Sequence, residues 1–202
     1  MPISPEPDGL PVLDARPFDP RSADQVRRLT DLYRAYLHEE LERTGYAVAG
    51  LPVAAYLNTF LVWLDDDVIG FYSLDFTRYA VELIYLEPQH RGKGIARAVF
   101  TRLKMTCPVP MRAKVPLSPS GQALVDSVGI GVTEPTDEEE QSAAESLDDV
   151  HRVLSKECNH KRGNPARPCR RCYRRALSVT AETVVSGYAT VARTAQILGF
   201  AA

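Results

Sequence analysis

A short segment in the first half of the chain places the strongest limit on how it can fold. An almost wholly apolar strand, predicted at residues 80–86, leads into a loop that contains Gly92 and Gly94, and the loop opens a helix. Main-chain N–H groups at a helix start lack partners within the helix, and the helix dipole adds positive character. Because glycine lets a phosphate approach the backbone, and Arg91 and Lys93 add charge, the segment indicates a pyrophosphate site. The alternative is a plain strand-to-helix turn that needs glycine only for a positive φ.

The rest of the chain is predicted to contain both helices and strands. Apolar spacing predicts a long helix over residues 23–44, capped by Ser22 and ended by Gly45. The other predicted elements are a strand at 10–15, a helix at 52–59, a hairpin of strands 60–64 and 68–75, a strand at 80–86, a helix at 95–105, a strand at 111–115, a helix at 118–128 and a final helix at 176–198. This order predicts an α/β or α+β fold with helices packed on a sheet.

The glycine loop resembles the acetyl-CoA signature of the GNAT superfamily of N-acetyltransferases, written Gln/Arg-x-x-Gly-x-Gly/Ala. Gln89, Gly92 and Gly94 occupy its fixed positions, and residues 84–88 resemble the strand end that usually precedes it. The resemblance covers about residues 10–132. It implies a mixed sheet that is splayed open near Leu86, with acetyl-CoA lying in the splay.

The resemblance also implies which residues bind the coenzyme. Backbone groups of Tyr85 and Leu86 would pair with the pantetheine arm, and the amides of residues 91–96 would hold the pyrophosphate. The predicted coenzyme-binding residues are therefore Ile84, Tyr85, Leu86, Gln89, Arg91, Gly92, Lys93, Gly94, Ile95 and Ala96. The amine of a substrate would attack the thioester directly, and a strand N–H near Leu86 would stabilise the charge that develops on the carbonyl oxygen.

An amine must lose a proton to attack a thioester, so a general base is needed. Glu82 is the first candidate, because strand alternation puts it on the same face as Leu86, toward the expected cleft. Tyr72 on the preceding strand is a second catalytic candidate, and Glu39 or Glu40 on the long helix are alternatives. Glu82 could equally be an ordinary charged residue near the start of a strand.

The general acid of the family is missing from this sequence. Many members carry a Tyr on the last helix, shortly before a Gly-aromatic pair, to protonate the leaving thiolate. Val125 stands at the Tyr position and Ile130 at the aromatic position. Valine cannot donate a proton, so water or another residue such as Ser127 would do so, or catalysis is slow or absent. A coenzyme thiol leaves without strong help, which favours an active enzyme.

A Cys/His cluster follows the part of the chain that resembles the family. Cys158 and His160 form a C-x-H pair, and eight residues later Cys169 and Cys172 form a C-x-x-C pair. Two close pairs of such ligands suit tetrahedral zinc, and four protein ligands indicate a structural site. The alternative is unbound cysteines beside a surface histidine. The predicted organisation is an acetyltransferase domain at 1–133, an acidic linker at 134–150 and a zinc module with its helix at 151–202.

Charge is distributed unevenly, although the net charge is only -2. Residues 134–149 contain acidic residues and no basic ones, whereas nearly every charge at 152–175 is basic. The basic segment could contact nucleic acid, a protein partner or the chain's own linker. A second hypothesis follows, in which the chain is a non-catalytic GNAT-fold binding protein whose zinc module contacts nucleic acid or a protein.

The composition and the apolar pattern predict the cellular compartment of the protein. Of the 202 residues 45% are apolar and 25% are charged, which is typical of a globular protein. No apolar run is long enough to span a bilayer, and the N-terminus lacks the pattern of a signal peptide. A cytoplasmic protein with no membrane partner is predicted, and its reducing compartment argues against disulfides. Many members of the family dimerise, so a homodimer remains open.

Overall fold

The fold is a mixed sheet with helices on both faces. The structure, a computed structural model, describes residues 13–45, 50–137, 141, 158 and 169–197. The main elements are β1 (Leu13–Pro17), α1 (Ala23–Thr44), β2 (Leu57–Leu64), β3 (Asp67–Asp75), β4 (Ala80–Leu86), a 3₁₀ turn (Pro88–His90), α2 (Ile95–Thr106), β5 (Arg112–Lys114), α3 (Pro119–Val128), β6 (Gly131–Thr133) and α4 (Arg170–Ile197).

The strands form one sheet in the order β1-β2-β3-β4-β5-β6. The first four are joined by antiparallel pairing, whereas β4 pairs with β5, and β5 with β6, in parallel. Parallel neighbours need a crossover connection, and here α2 links β4 to β5 and α3 links β5 to β6. The predicted mixed α/β fold is confirmed by this sheet.

The first helix follows directly from its sequence. The Ser22 hydroxyl accepts a hydrogen bond from the Gln25 N–H at 3.4 Å. At the other end Gly45 has φ 81° and donates its N–H to the Leu41 carbonyl, which is the left-handed C-cap that glycine adopts without steric cost. The apolar stripe between these caps is buried and consists of Val26, Leu29, Leu32, Tyr33, Leu37 and Leu41. The predicted limits of this helix are confirmed.

Each face of the sheet carries its own apolar core. The first core joins α1 and α4 to one face, and the second joins α2 and α3 to the other. Side chains alternate between the faces along a strand, so Phe71 lies in the first core and its neighbour Tyr72 in the second. The site described below lies where β4 passes between these two cores.

Three sequence predictions need correction. Residues 52–59 are not helical, because β2 already begins at Leu57 and the Thr59 and Ser73 hydroxyls bind the Pro52 carbonyl. The short strand β6 was not predicted; it pairs with β5 although two of its three side chains are exposed. The last helix begins at Arg170, six residues before its predicted start. Part of the strand predicted at 10–15 lies outside the described residues.

The last helix packs along α1. Leu177, Ala181 and Val185 on α4 are fully or almost fully buried in the first core. At the surface, Glu42 on α1 forms ion pairs with Arg170 and Arg174. Most of the predicted linker and residues 151–157 and 159–168 of the predicted module lie outside the described residues, so their limits stay a prediction. The last helix, α4, packs with the sheet. None of the described helices, α4 included, is long and apolar enough to cross a bilayer.

Candidate functional site

The sheet opens where β4 and β5 separate, and the gap beside the second half of β4 is here called the cleft. The parallel pairing of the two strands is confined to Ala80 with Arg112 and Val81 with Ala113. β4 continues for five more residues to Leu86, whereas β5 ends one residue later at Lys114. Within the described residues, this half of β4 therefore has a strand neighbour only on its β3 side. The sheet is open beside Leu86, as the family resemblance implied.

The main-chain groups of Leu86 face this cleft. The Glu87 N–H donates to the Ile69 carbonyl at 3.0 Å, and Leu86 lies opposite Gly70 in the register of β3 and β4. In an antiparallel ladder this makes Leu86 and Gly70 a pair without mutual hydrogen bonds, whose N–H and C=O groups point away from each other. The Leu86 groups therefore point to the open edge of β4.

The same alternation settles the orientation of the two preceding residues. Ile84 lies two positions before Leu86 in an unbroken register, so its main-chain groups also face the cleft. Tyr85 lies opposite Phe71 and directs its N–H and C=O toward β3. The expectation that Tyr85 backbone groups pair with the pantetheine arm is therefore corrected. Ile84 and Leu86 direct their main-chain groups to the open edge, because neighbouring residues of a strand point to opposite edges.

The glycine loop follows this edge and opens α2. Gly92 and Gly94 have φ of 73° and 79°, and a Cβ added to either would meet nothing within 4 Å. Gly94 is the N-cap of α2, and no side chain caps the helix start. Ile95 is buried in the second core and anchors the first turn. The amides of the first turn, including that of Ala96, are therefore at a helix start that a ligand can approach.

The charged and polar side chains of the loop are arranged differently from the prediction. The Gln89 amide donates to the Glu87 carboxylate at 3.2 Å, and Lys93 is exposed. Arg91 turns back onto β4, where its Nε donates to the Leu86 carbonyl oxygen at 2.7 Å. Its guanidinium lies 5.1 Å from the centre of the Tyr85 ring. Arg91 thus covers an acceptor that faces the cleft.

Arg91 also connects the loop to the first helix. Its guanidinium forms an ion pair with Glu39 on α1, with Nη1 2.9 Å from Oε2. The Tyr85 hydroxyl donates to the other carboxylate oxygen of Glu39 at 2.8 Å. Burial and this hydrogen bond raise the pKa of Tyr85 well above its usual value, so the phenol stays protonated. Glu39, an alternative general base in the sequence analysis, is therefore held by two partners.

Glu82 lies at a bulge at the closed end of the cleft. Leu83 pairs with Ser73 and Val81 with Leu74, so Glu82 is the extra residue of β4. Its side chain is 8% exposed, and its Oε2 lies 3.0 Å from the Lys114 Nζ. Regular alternation of side chains along β4 would place Glu82 on the same face as Leu86. The bulge interrupts that alternation.

The carboxylate of Glu82 faces the side of α1. Its Oε1 would lie 3.3 Å from a Cβ added to Gly50, and the same Cβ would touch Leu83 of the first core. Burial, followed by the negative charge of Glu82, raises the pKa of Tyr33 on α1. The predicted placement of Glu82 on the Leu86 face is thus corrected, and the residue follows the last pair of β4 with β5.

The other catalytic candidates are in different surroundings. Tyr72 is buried in the second core, where its ring stacks on Phe60 with 5.0 Å between centroids. Burial raises the pKa of Tyr72 to about 12. Glu40 is ion-paired with Arg43. Val125, at the position of the family's tyrosine, is 4% exposed in the second core. The structure does not bring Tyr72 and Glu82 onto one face.

Gly70 is a residue of the site that sequence reasoning missed. A Cβ at this position would lie 2.4 Å from the Tyr85 carbonyl oxygen and 2.6 Å from Leu86 Cδ2. Both distances are far below van der Waals contact, so only glycine allows β3 to approach β4 beneath the cleft. A glycine inside an otherwise apolar strand is the signal that could have identified it.

A cluster of thiols lies at the start of α4. The sulfur atoms of Cys158, Cys169 and Cys172 are all within 4.8 Å of one another. The Cys169 N–H donates to the Cys158 sulfur at 3.4 Å. A hydrogen bond with Cys169 is the main cause that raises the pKa of Cys172 to about 11. Thiolates on a tetrahedral zinc are separated by about 3.8 Å, given a Zn–S length of about 2.3 Å, so three donors suit the metal. The predicted fourth ligand, His160, lies outside the described residues.

Comparisons with known proteins found one family profile and several solved structures that are similar to this chain. The sequence profile described as the acetyltransferase (GNAT) family matches residues 25–108. No curated protein matches the chain in sequence. Among solved structures, one described as a possible acetyltransferase from Clostridium difficile 630 has a TM-score of 0.45 at 15% identity, covering 61% of this chain and 93% of its own.

Two further structures are similar to this chain. An acetyltransferase from Thermus thermophilus has a TM-score of 0.41 at 19% identity, covering 58% of this chain and 85% of its own. An aminoglycoside acetyltransferase from an uncultured soil metagenomic sample has a TM-score of 0.34 at 15% identity, covering 76% of this chain and 95% of its own. The profile match spans α1, β4, the glycine loop and α2. The match covers 84 of the 202 residues, and over this region the chain is similar to the GNAT family of acetyltransferases.

Proposed function

We propose that the protein transfers the acetyl group of acetyl-CoA to a substrate amine by direct attack. The observation that carries this proposal is the open edge of β4, which presents the main-chain groups of Ile84 and Leu86 directly before a glycine loop and a helix start. An extended amide-bearing arm followed by a diphosphate has the chemistry to fill these two neighbouring sites.

Different residues of the cleft would bind different parts of the coenzyme. Ile84 and Leu86 would pair with the pantetheine arm through their main-chain groups. The amides from Gly92 to Ala96 would bind the pyrophosphate, and the exposed Lys93 would add positive charge. Arg91 must release the Leu86 carbonyl oxygen before that group can bind the coenzyme, and its guanidinium is then free to turn to the diphosphate. Gln89 would support the loop through Glu87.

Glu82 is the proposed general base. The neutral amine nitrogen attacks the thioester carbon, the carbon–nitrogen bond forms, the carbon–sulfur bond breaks, and the coenzyme leaves as its thiol. The amine proton passes to the Glu82 carboxylate, which lies beside the cleft and is shielded from water. The Leu86 N–H points into the cleft and can stabilise the negative charge on the carbonyl oxygen. Tyr72, the second candidate, is less suited to this role, because its ring is buried against Phe60 and burial raises its pKa.

The missing tyrosine favours water as the proton source for the leaving group. Val125 is buried among apolar side chains and offers no donor. The thiol of the coenzyme is a good leaving group, so the absence of an acid slows the reaction less than it would for an alkoxide. Val125 is also the observation that favours the second candidate function, a GNAT-fold protein that binds a partner without catalysis.

The thiol cluster is proposed to hold a structural zinc ion. Cys158, Cys169 and Cys172 would supply three thiolates and His160 the fourth ligand. With four protein ligands the site has no open position for water, so it would stabilise the start of α4 and take no part in acetyl transfer. Near the cluster Arg171 and Arg175 are exposed. They could contact nucleic acid or a protein partner through phosphate or carboxylate groups.

Calorimetric titration and a turnover assay test the proposed function together. We expect acetyl-CoA to bind and the free thiol to be released when a panel of small amines, peptide N-termini and lysine peptides is supplied. Binding without turnover on any amine would favour the non-catalytic alternative. A lack of binding at millimolar coenzyme would refute both the coenzyme site and acetyl transfer.

A further inference from the structure

We propose that Lys114 is a positioning residue that holds the Glu82 carboxylate in the orientation needed to accept the proton of the substrate amine. The inference rests on the proposed acetyl transfer and adds to it a residue from β5, outside the region matched by the family profile. Lys114 would not touch the reacting atoms itself.

The place of this pair in the fold is the first argument. Val81 and Ala113 form the last paired position of β4 and β5, and the next residue of each strand is Glu82 and Lys114. Their ion pair therefore joins the two strands at the point where the cleft begins. The Nζ to Oε2 distance is 3.0 Å, and the two side chains are only 17% and 8% exposed. Such shielding makes an ion pair much more sensitive to the loss of one partner than an exposed pair.

The two oxygens of the carboxylate are in different surroundings. Lys114 binds Oε2, while Oε1 lies beside Gly50, at 3.3 Å from where a Cβ would be. A lysine ammonium has three donors and no acceptor, so Lys114 cannot take the amine proton. It can fix the carboxylate so that Oε1 is the oxygen that accepts. Glycine at position 50 keeps a side chain away from that oxygen, which an added Cβ would contact.

The charge of Lys114 is the second contribution. A carboxylate with little access to water is costly to keep ionised without a cation, and protonated Glu82 cannot act as a base. Replacing Lys114 should therefore remove most of the rate acceleration that Glu82 provides as a base. The contributions of the two residues should then not be independent, because each acts only through the other.

The test compares steady-state rates of Lys114→Met, Lys114→Arg, Glu82→Gln and the double variant Lys114→Met/Glu82→Gln, using acetyl-CoA and the best amine found for the wild type. We expect Lys114→Met to lower kcat at least about tenfold, a part of what a general base contributes, with the KM for acetyl-CoA within about twofold. Lys114→Arg should restore most of the rate. The double variant should be no slower than Glu82→Gln. Arg112→Met, an exposed cation on the same strand, is the matched control and should keep its rate.

Two results would overturn the inference. One is a folded Lys114→Met variant with a kcat within about twofold of the wild type, and the other is a double variant whose rate loss is the product of the single losses. Coenzyme titration and thermal melting verify that each variant is folded. If Lys114→Met does not fold, the rate of the double variant is compared with that of Glu82→Gln instead. The double variant leaves neither charge of the ion pair buried without its partner. If the wild type turns over no amine, acetyl transfer fails first and this inference fails with it. If the wild type is active and Lys114→Met has the same kcat, the inference is refuted while the proposed acetyl transfer is not.

Discussion

Replacing Gly70 by alanine should separate β3 from β4 beneath the cleft. The added Cβ would stand 2.4 Å from the Tyr85 carbonyl oxygen, where ordinary contact begins near 3.4 Å, so the strands must part by about 1 Å. Overpacking a close contact costs about 1–3 kcal/mol, and the obstacle here is backbone, which cannot rotate away. We therefore expect a loss near the upper end of that range, about 3 kcal/mol, which for a chain of this size lowers Tm by roughly 6–12 °C.

Urea denaturation and thermal melting measure this loss, with Gly187→Ala as the matched control. Gly187 lies inside α4, and a Cβ there would meet nothing within 4 Å. Alanine in a helix is favoured over glycine by about 0.5–1 kcal/mol, so the control should be more stable than the wild type. In addition, folded Gly70→Ala protein should bind acetyl-CoA more weakly, because Leu86 is displaced. A Gly70→Ala protein as stable as the wild type would refute the close approach of the two strands.

Three other changes test the loop, the last helix and the thiol cluster. Gly92→Ala places a side chain at φ 73°, which costs about 1–2 kcal/mol, so coenzyme binding by calorimetry should weaken several-fold; unchanged affinity would contradict the role of the loop. Val185→Ala in the first core should cost roughly 2 kcal/mol in urea denaturation, whereas Val191→Ala, at a side chain 69% exposed, should cost almost nothing; equal effects would mean that α4 does not pack on α1. Protein purified with zinc should melt at a lower temperature after chelation, and Cys169→Ala should melt near that lower temperature with or without the metal. A melting temperature that the chelator does not change would contradict the zinc site.

The parts of the fold that are encoded locally could be predicted. Ser22 and Gly45 mark the ends of α1 because capping depends on residues within one turn of the helix end. β4 matches its predicted limits, and α2 begins at the residue after Gly94 as expected. Strand, loop and helix start are consecutive in the chain, so the place of the proposed coenzyme site could be inferred from them.

The features that depend on distant pairing could not be predicted. The bulge that reorients Glu82 is set by the register of β4 against β3, and periodicity within one strand does not contain that information. The contact of Arg91 with Glu39 joins residues 52 positions apart. Lys114 was not recognised, because its importance comes only from the residue that it meets across the sheet. Local propensity also predicted a helix at 52–59, where pairing with β3 imposes a strand from Leu57 onward.

Hydrogen exchange of individual amides, measured with and without acetyl-CoA, tests the central claim most directly. The account predicts slower exchange on binding at Ile84 and Leu86, whose N–H groups face the cleft, and across residues 92–96 of the loop and helix start, with little change in α4. Binding of acetyl-CoA that leaves the exchange of these amides unchanged would show that the coenzyme lies elsewhere and would contradict the account.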